Sequence, residues 1–312
     1  MVELRKDYVL DRWVILAPSR KKRPRDFIRQ PAAVSSSVCV FCEGNERLTP
    51  REIGRINGPN GGWAMRWFLN LFPATREEGQ MDIRTDNSFY TFSAAYGSHE
   101  IIVETPFHER QLWDFSAEEI KQLLLVYRER MADLGKKDGI RFVAAFKNHG
   151  AEGGASIAHS HSQVISTNIL PTLIREEAAA IKNFQSCPYC GIISTEKNSY
   201  RRCFENSHAV AFTPYASRFN FEIWIFPKRH VGKYEDLWDN EMKDFAQILK
   251  VTLGKLKELG IDFNFYIHYA PKKSTLHLHM EIAPREAIWA GFELGSGATI
   301  NSVMPENAAN FY

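Results

Sequence analysis

Two Cys-x-x-Cys pairs stand far apart in a chain that contains only five cysteines. The pairs are Cys39 with Cys42 and Cys187 with Cys190. Thiolates at this spacing can bind one metal ion together, although a redox pair or two buried thiols would produce the same pattern. Two such pairs favour metal binding, provided that histidines complete each set of four ligands.

Four of the ten histidines form two His-x-His pairs, His159 with His161 and His277 with His279. In an extended strand, residues two apart project from the same face, so each pair can hold two imidazoles side by side. Imidazole nitrogens can bind zinc or attack an electrophile. One pair alone could equally be polar residues on a half-exposed strand.

The segments that must position these residues occur twice in the chain. An apolar, strand-like run leads from a glutamate to a histidine eight positions later in both halves, from Glu100 to His108 and from Glu222 to His230. A helical pattern, a Gly-Ile step, a second strand-like run and a His-x-His pair then follow in the same order. A shared order of this many elements indicates an internal duplication.

The duplication predicts an α+β fold with two related units, residues 1–170 and 171–312. Each unit is expected to have an antiparallel sheet that carries its His-x-His pair, with a helix packed on one face. Ser116 and Glu119 form a capping-box pattern that predicts the start of the first of these helices. The acidic helical stretch 172–184 is expected to join the units.

The duplication also supplies the missing metal ligands, because each half has histidines to add to its cysteines. Sets of two cysteines and two histidines are typical of closed, structural zinc sites. In the second half, a group made of His268, His277, His279 and a carboxylate remains an alternative, with another metal or none. The first set is Cys39, Cys42, His108 and His159, and the second is Cys187, Cys190, His230 and His277.

If His159 binds metal, His161 stays free beside a rigid anchor. The loop just upstream has three glycines, beginning at Gly150, and backbone N–H groups of such a loop can cradle phosphate oxygens. A flexible turn is the plainer interpretation. The second half has a shorter loop, and Glu281 stands where the first half has Gln163. An ionised carboxylate cannot donate to phosphate, so chemistry is expected in the first unit alone.

A neutral imidazole at His161 could attack the α-phosphorus of a nucleotide and form a covalent phosphoramidate. This divides transfer into two displacements with ping-pong kinetics. Gln163 and Ser156 can donate hydrogen bonds to the phosphate oxygens as charge develops. A zinc-stabilised nucleotide-binding module without turnover is the alternative from another class, and it predicts bound but not covalently attached nucleotide.

Composition excludes several other classes of protein. The 312 residues are 44% hydrophobic and 24% charged, with a net charge of only +2, as in ordinary globular proteins. Nothing in this balance demands a nucleic-acid or membrane partner. No apolar run approaches the ~20 residues of a spanning helix, and the N-terminus lacks the apolar stretch of a signal peptide. We therefore expect a cytoplasmic protein.

In these motifs the chain resembles the galactose-1-phosphate uridylyltransferases of the histidine triad superfamily, over nearly its full length. The most specific part is the Asn-x-Gly…Ser…His-x-His-x-Gln block, residues 148–163. The resemblance implies two histidine-triad-like units, zinc, small-molecule substrates of the nucleotide sugar and sugar 1-phosphate classes, and a homodimer. Further similar segments are residues 11–14, 20–24, 39–45, 70–74 and 290–295.

The resemblance implies that His161 takes a uridylyl group from UDP-glucose and passes it to galactose 1-phosphate. Gln163 and Ser156 would bind phosphates, and Asn148 would position the intermediate. The implied substrate contacts elsewhere are Arg20 and Arg23 at the donor phosphates, Asn70 at the nucleoside, and Phe292 and Glu293 at the sugar across a dimer.

The resemblance also implies zinc at the first set and a second metal, iron or zinc, at Glu177, His268, His277 and His279. This second assignment competes for His277 with the Cys₂His₂ assignment. Ser160 stands where the family has proline, and the tail 295–301 looks more like the branch that includes ADP-glucose phosphorylases. Members of that branch use the same histidine with an adenylyl group and phosphate as acceptor.

Overall fold

The computed structural model describes residues 2–22, 38–59 and 61–312. The strands formed by these residues are β1 (Glu3–Lys6), β2 (Trp13–Leu16), β3 (Glu52–Asn57), β4 (Trp63–Leu69), β5 (Arg84–Thr85), β6 (Thr91–Phe92), β7 (His99–Val103), β8 (Phe142–His149), β9 (His161–Thr167), β10 (Arg202–Glu205), β11 (Ala209–Phe212), β12 (Ile223–Pro227), β13 (Phe263–His268), β14 (His279–Pro284) and β15 (Thr299–Asn301). The α-helices are α1 (Ala117–Gly135), α2 (Thr172–Ala180), α3 (Pro188–Glu196), α4 (Asp239–Leu259), α5 (Gly291–Ser296) and α6 (Pro305–Phe311).

Ten strands form one antiparallel sheet in the order β10-β11-β12-β14-β13-β8-β9-β7-β4-β3. The two halves contribute five strands each, and their orders outward from the central β8–β13 pair mirror each other. At that centre, His149 is paired with Phe263. The duplication predicted from the repeated glutamate-to-histidine runs is confirmed, and the sheets of the two units are continuous with each other.

Helices α1 and α4 lie side by side on one face of this sheet. The Ser116 hydroxyl accepts from the Glu119 backbone N–H at 3.2 Å, and the Glu119 carboxylate accepts from the Ser116 N–H at 2.8 Å, so α1 begins at the predicted capping box. Leu123 of α1 and Leu253 of α4 are fully buried in the core between helices and sheet. This core fixes the strands that carry the histidines.

The strand β9 presents alternate residues to opposite faces of the sheet. Val164 packs in the core under the helices, so His161 and Gln163 face the other side. In the second half this other side is covered by α3 and the residues after α2, where Tyr189 packs against Phe226. The predicted linker 172–184 is helical, as α2 followed by a 3-10 turn.

The first and last strands form a separate small sheet that the sequence did not predict. β2 is antiparallel to β1 and parallel to β15. The Tyr8 hydroxyl donates to Glu196 at 2.7 Å, and Arg5 pairs with Glu306 at 2.8 Å. Residues near the N-terminus therefore pack on the second half of the chain.

Within the described ranges, every helix is too short or too polar to cross a lipid bilayer.

Candidate active site and metal-binding groups

The first Cys₂His₂ set assembles as predicted. Cys39 and Cys42 lie in turns before β3, His108 follows β7, and His159 comes two residues before β9 starts. The distances from Cys42 Sγ to the Nδ1 atoms of His108 and His159, and from Cys39 Sγ to His159 Nδ1, are all 3.6 Å. Zinc–ligand bonds of about 2.0 to 2.3 Å in a tetrahedron give edges close to this length. The four side chains fit a zinc ion.

Hydrogen bonding prepares His159 as a ligand. Its Nε2 lies 2.6 Å from the Thr105 carbonyl, to which it can only donate, so Nδ1 keeps the lone pair that faces the cysteines. Burial and the neighbouring Cys39 thiol raise the pKa of Cys42 to about 11. A bound cation is therefore needed to hold this thiol as the thiolate that ligates metal.

The second Cys₂His₂ set also assembles. Cys190 Sγ is 3.5 Å from the Nδ1 atoms of both His230 and His277, and Cys187 Sγ is 4.0 Å from His277 Nδ1. His277 Nε2 lies 3.0 Å from the Pro227 carbonyl, which repeats the arrangement of His159. His277 therefore belongs with the cysteines.

A third group of possible ligands lies close together in the second half, with all its members buried. Its ligand atoms lie within 4.8 Å of one another. It shares three residues with the alternative metal site implied by the resemblance, but Glu281 takes the place of His277. His279 Nε2 and one carboxylate oxygen of Glu281 have no hydrogen-bond partner in the described part of the chain. The group consists of Glu177, His268, His279 and Glu281.

His161 is oriented by its own strand. Its Nδ1 lies 2.8 Å from the His159 carbonyl and must donate to it, so Nε2 carries the lone pair. Among the described residues, none forms a hydrogen bond to that Nε2. Burial, reinforced by the nearby Lys147 ammonium, lowers the pKa of His161 and favours the neutral ring. The Phe41 ring packs against the His161 ring in an edge-on arrangement, with the two ring centroids 5.3 Å apart.

A buried ion pair lies behind the His161 strand on the helix side of the sheet. Lys147 Nζ donates to Glu104 at 2.7 Å, to the Ser160 hydroxyl at 3.0 Å and to the His161 carbonyl at 3.0 Å. The Ser160 hydroxyl itself donates to Glu104 at 2.6 Å. Sequence reasoning missed this network, in which Ser160 makes two hydrogen bonds that a proline could not make.

We expect Lys147→Met to lower the free energy of unfolding by about 3–5 kcal/mol, because it leaves the Glu104 carboxylate buried and unpaired. The double variant Glu104→Gln/Lys147→Met should be more stable than Lys147→Met alone, since it removes that charge. Urea unfolding of the three proteins measures both differences. If the double variant were less stable than Lys147→Met, the uncompensated charge would not be the cause.

Gln163 is held by a residue from a neighbouring strand. Its Oε1 lies 2.8 Å from Nε2 of His99, the first residue of β7. The Ala74 backbone N–H donates to His99 Nδ1 at 3.1 Å, and the Asn70 side-chain amide lies 3.4 Å from the same atom. Asn70, predicted as a nucleoside contact, thus lies beside Gln163.

The glycine-rich loop packs against the second half. A Cβ atom on Gly150, whose φ is 72°, would collide with the Asp262 carboxylate, and one on Gly153 would collide with the His149 carbonyl. Asn264 donates to the Asn148 side-chain oxygen at 2.9 Å, which leaves the Asn148 NH₂ group as a donor. Close packing alone therefore demands glycine at two positions of this loop. Its role at phosphate stays a prediction.

The remaining residues that were predicted to contact substrate belong to segments other than β9. Ser156 is exposed in the segment between β8 and β9, and Arg20 is exposed in a 3-10 turn after β2. Phe292 and Glu293 lie in α5, beside β15. Arg23 lies outside the described residues.

The counterpart of the His161 face in the second half is closed. His279 is fully buried, and Phe226 stacks on it with ring centroids 4.8 Å apart. Arg218 pairs with Glu281 at 2.7 Å. Burial would raise the pKa of Glu281, but Arg218 and His268 hold it well below its usual value. This charged, covered pair contrasts with Gln163, which is half-exposed.

His149 lies at the end of β8 between two aromatic rings, with ring centroids 4.2 Å from Trp113 and 4.7 Å from Phe263. Burial and the nearby Lys147 charge lower the pKa of His149 to about 3. The folded ring stays neutral at pH values where the unfolded chain binds a proton. Stability from this residue is thus present above pH 6.5 and is lost as the pH falls below it.

His149→Phe should remove this acid sensitivity while keeping a ring in the same position. Between about pH 7.5 and about pH 5, wild type should lose about 2 kcal/mol more unfolding free energy than the variant. Urea unfolding at both pH values gives the comparison, and metal release at low pH affects both proteins alike. Equal losses in the two proteins would contradict the assignment.

Known proteins match this chain over its whole length. A family model described as "Galactose-1-phosphate uridyl transferase, N-terminal domain" matches residues 2–171, and one described as a domain of unknown function (DUF4921) matches residues 96–310. The ADP-glucose phosphorylase of Arabidopsis thaliana is 33% identical over 98% of this chain and 91% of its own. The galactose-1-phosphate uridylyltransferase of Thermotoga maritima is 29% identical over 99% of this chain and 97% of its own.

Solved structures agree with these relatives. The crystal structure of an ADP-glucose phosphorylase from Arabidopsis thaliana with bound ADP-glucose matches with a TM-score of 0.86 at 33% identity. The match covers 100% of this chain and 97% of that one. The α+β fold is therefore that of a solved relative.

Proposed function

The chain belongs to the galactose-1-phosphate uridyl transferase family, and we therefore propose that it transfers a nucleotidyl group from a nucleotide sugar through a covalent bond to His161. One observation carries this proposal. The hydrogen bond of 2.8 Å from His161 Nδ1 to the His159 carbonyl leaves Nε2 with its lone pair. A neutral imidazole held in this way, next to an amide donor, is suited to attack on phosphorus.

The transfer takes two displacements. In the first, the His161 Nε2 lone pair forms a bond to the α-phosphorus, and the bond from that phosphorus to the sugar 1-phosphate oxygen breaks. In the second, an oxygen of the acceptor phosphate attacks the same phosphorus and the bond to nitrogen breaks. The proton stays on Nδ1, which donates to the His159 carbonyl throughout, and Gln163 donates to the phosphate oxygens in both steps.

We propose UDP-glucose as donor and a hexose 1-phosphate, galactose 1-phosphate, as acceptor, with the relative from Thermotoga maritima as support. Adenylyl transfer from ADP-glucose to phosphate is the second candidate. The 33% identity to the ADP-glucose phosphorylase of Arabidopsis thaliana favours it. Both reactions would use the same histidine, and they differ in the base of the nucleotide and in the acceptor.

Zinc is proposed for both Cys₂His₂ sets, where it would act as a structural ion. Each set has four protein ligands and leaves no open position for substrate. The first ion would anchor His159, whose carbonyl orients His161. On this proposal residues 1–170 carry the chemistry, and residues 171–312 supply the second ion and substrate contacts.

A homodimer is also proposed. Several large apolar side chains on the first half are exposed, among them Phe72 at 84% and Phe89 at 87% of their full area. Exposed apolar side chains of this size are typical of protein contacts when they form a patch. A second copy of the chain could cover them and bring Phe292 and Glu293 to its partner's site.

Intact-protein mass spectrometry tests the proposed function. The protein is mixed with UDP-glucose, and separately with ADP-glucose, without any acceptor. A uridylyl adduct that disappears when galactose 1-phosphate is added supports uridylyl exchange, and an adenylyl adduct that disappears with phosphate supports the second candidate. Binding of a nucleotide sugar without any adduct would make the protein a nucleotide-binding module instead.

A further inference from the structure

His99 lies between the loop after β4 and the amide of Gln163. It is 6% exposed, and its ring contacts polar groups from two directions. On one side the Ala74 backbone N–H points at Nδ1, at 3.1 Å. On the other, Nε2 lies 2.8 Å from Gln163 Oε1 and 3.2 Å from the side-chain nitrogen of Asn70. Its backbone carbonyl also accepts from the Asn70 N–H at 2.7 Å.

The Ala74 N–H selects the arrangement of protons on the ring. A backbone N–H can only donate, so Nδ1 of His99 must be the acceptor and carry no hydrogen. The neutral ring then carries its hydrogen on Nε2 and donates it to Gln163. The atom of Gln163 that faces His99 must therefore be the oxygen. The Gln163 NH₂ group is consequently directed away from His99, and burial lowers the pKa of His99, which keeps the ring neutral.

We propose that His99 is a positioning residue, which fixes the Gln163 amide so that its NH₂ group faces the phosphate that His161 attacks. This inference rests on the proposed function and adds a residue to it. Without His99, the amide could rotate and present its oxygen to the phosphate. The amide oxygen and the phosphate oxygens would repel each other. His99 also connects the segment 70–74, which begins with the proposed nucleoside contact Asn70, to the same amide through hydrogen bonds.

The two halves of the chain differ at both positions together. The sheet pairs Gln163 with Ile101 and Glu281 with Trp224, so the residue two positions earlier in the chain is His99 in the first half and Glu222 in the second. Glu222 accepts from the Trp224 indole N–H at 2.9 Å, and Glu281 pairs with Arg218 instead. The histidine and the glutamine thus occur as a pair only in the half where chemistry is proposed.

A double-mutant cycle tests the inference, with the single-turnover rate of covalent adduct formation as the readout. We expect Gln163→Ala to slow adduct formation about 10²-fold, as loss of one donor to a developing oxyanion does. We expect His99→Leu to slow it about 10-fold, because the amide stays present but is no longer fixed. In the Gln163→Ala background, His99→Leu should have no further effect.

The same cycle gives the results that would overturn the inference. If His99→Leu also slowed the Gln163→Ala protein about 10-fold, His99 would act by supporting the structure and not through the amide. If wild type formed no adduct with either nucleotide sugar, the proposed function itself would fall. If wild type formed the adduct and the effects of the two substitutions multiplied, the proposed function would stand and only the positioning role of His99 would fall.

Two conservative variants keep the test decisive if His99→Leu does not fold. The amide of His99→Gln can reach the position of Nε2 and donate to Gln163, whereas the shorter side chain of His99→Asn can replace only Nδ1. We expect His99→Gln to restore most of the wild-type rate and His99→Asn to remain about 10-fold slow. The reverse order of rates would contradict the inference, and thermal unfolding of both variants establishes that they are equally folded.

Discussion

His161→Ala should abolish covalent attachment of the nucleotide and lower the transfer rate by ~10⁴-fold or more. The variant lacks Nε2 of His161, the atom proposed to bond to phosphorus, so the remaining donors should bind the nucleotide sugar without carrying the nucleotidyl group. Intact mass after mixing with donor, and steady-state rates with donor and acceptor together, measure the two effects. Affinity for the nucleotide sugar should change far less than the rate.

His208→Ala provides the matched control. His208 is half-buried near the start of α4, with its Nδ1 2.8 Å from Asp244, and it belongs to none of the metal-binding groups. This variant should form the adduct at the wild-type rate. An adduct that persisted on His161→Ala would show that another residue is the nucleophile.

Cys42→Ser should remove one bound metal ion and lower the melting temperature by about 10 °C or more. A structural zinc ion contributes several kcal/mol to folding, and in a domain of this size each kcal/mol corresponds to roughly 2–4 °C. Loss of the metal ion should also slow adduct formation, because the ion would no longer anchor His159, which orients His161. Metal content by elemental analysis and melting by circular dichroism measure the first two effects.

Two further cysteine substitutions separate the metal sites. Cys190→Ser should likewise remove one ion, but it should slow adduct formation much less, since its set includes no residue next to His161. Cys203→Ser should keep both ions, because Cys203 lies outside the three metal-binding groups. Full metal content in Cys42→Ser would contradict the first Cys₂His₂ assignment.

The duplication, the fold class and the two Cys₂His₂ sets could all be predicted from residue types and their order. The cysteine pairs, three positions apart, and the histidines on alternate positions of a strand are both visible in the local spacing. The repeat then paired each set of cysteines with its histidines, although they are far apart in the chain. Glu281 in place of Gln163 also predicted chemistry in the first half alone, which stays a prediction.

Other features depend on which strands become neighbours, and local residue spacing does not show which strands pair. His277 could have joined either of two groups, and the geometry around Cys190 assigned it to the cysteines. Nothing in the spacing placed Lys147 beside Glu104, or the first strands beside β15.

The sequence by itself determined the chemistry that is available: two thiol pairs, two His-x-His pairs and an amide at Gln163, all in a repeated order. Only the tertiary structure decided which nitrogen of His161 keeps a lone pair and which end of the Gln163 amide is free. Both choices depend on hydrogen bonds with backbone groups. The His159 carbonyl accepts from His161 Nδ1, and the Ala74 N–H donates to His99, which in turn orients the Gln163 amide. A backbone donor or acceptor has the same chemistry at every residue, so only its position in the fold can select a tautomer.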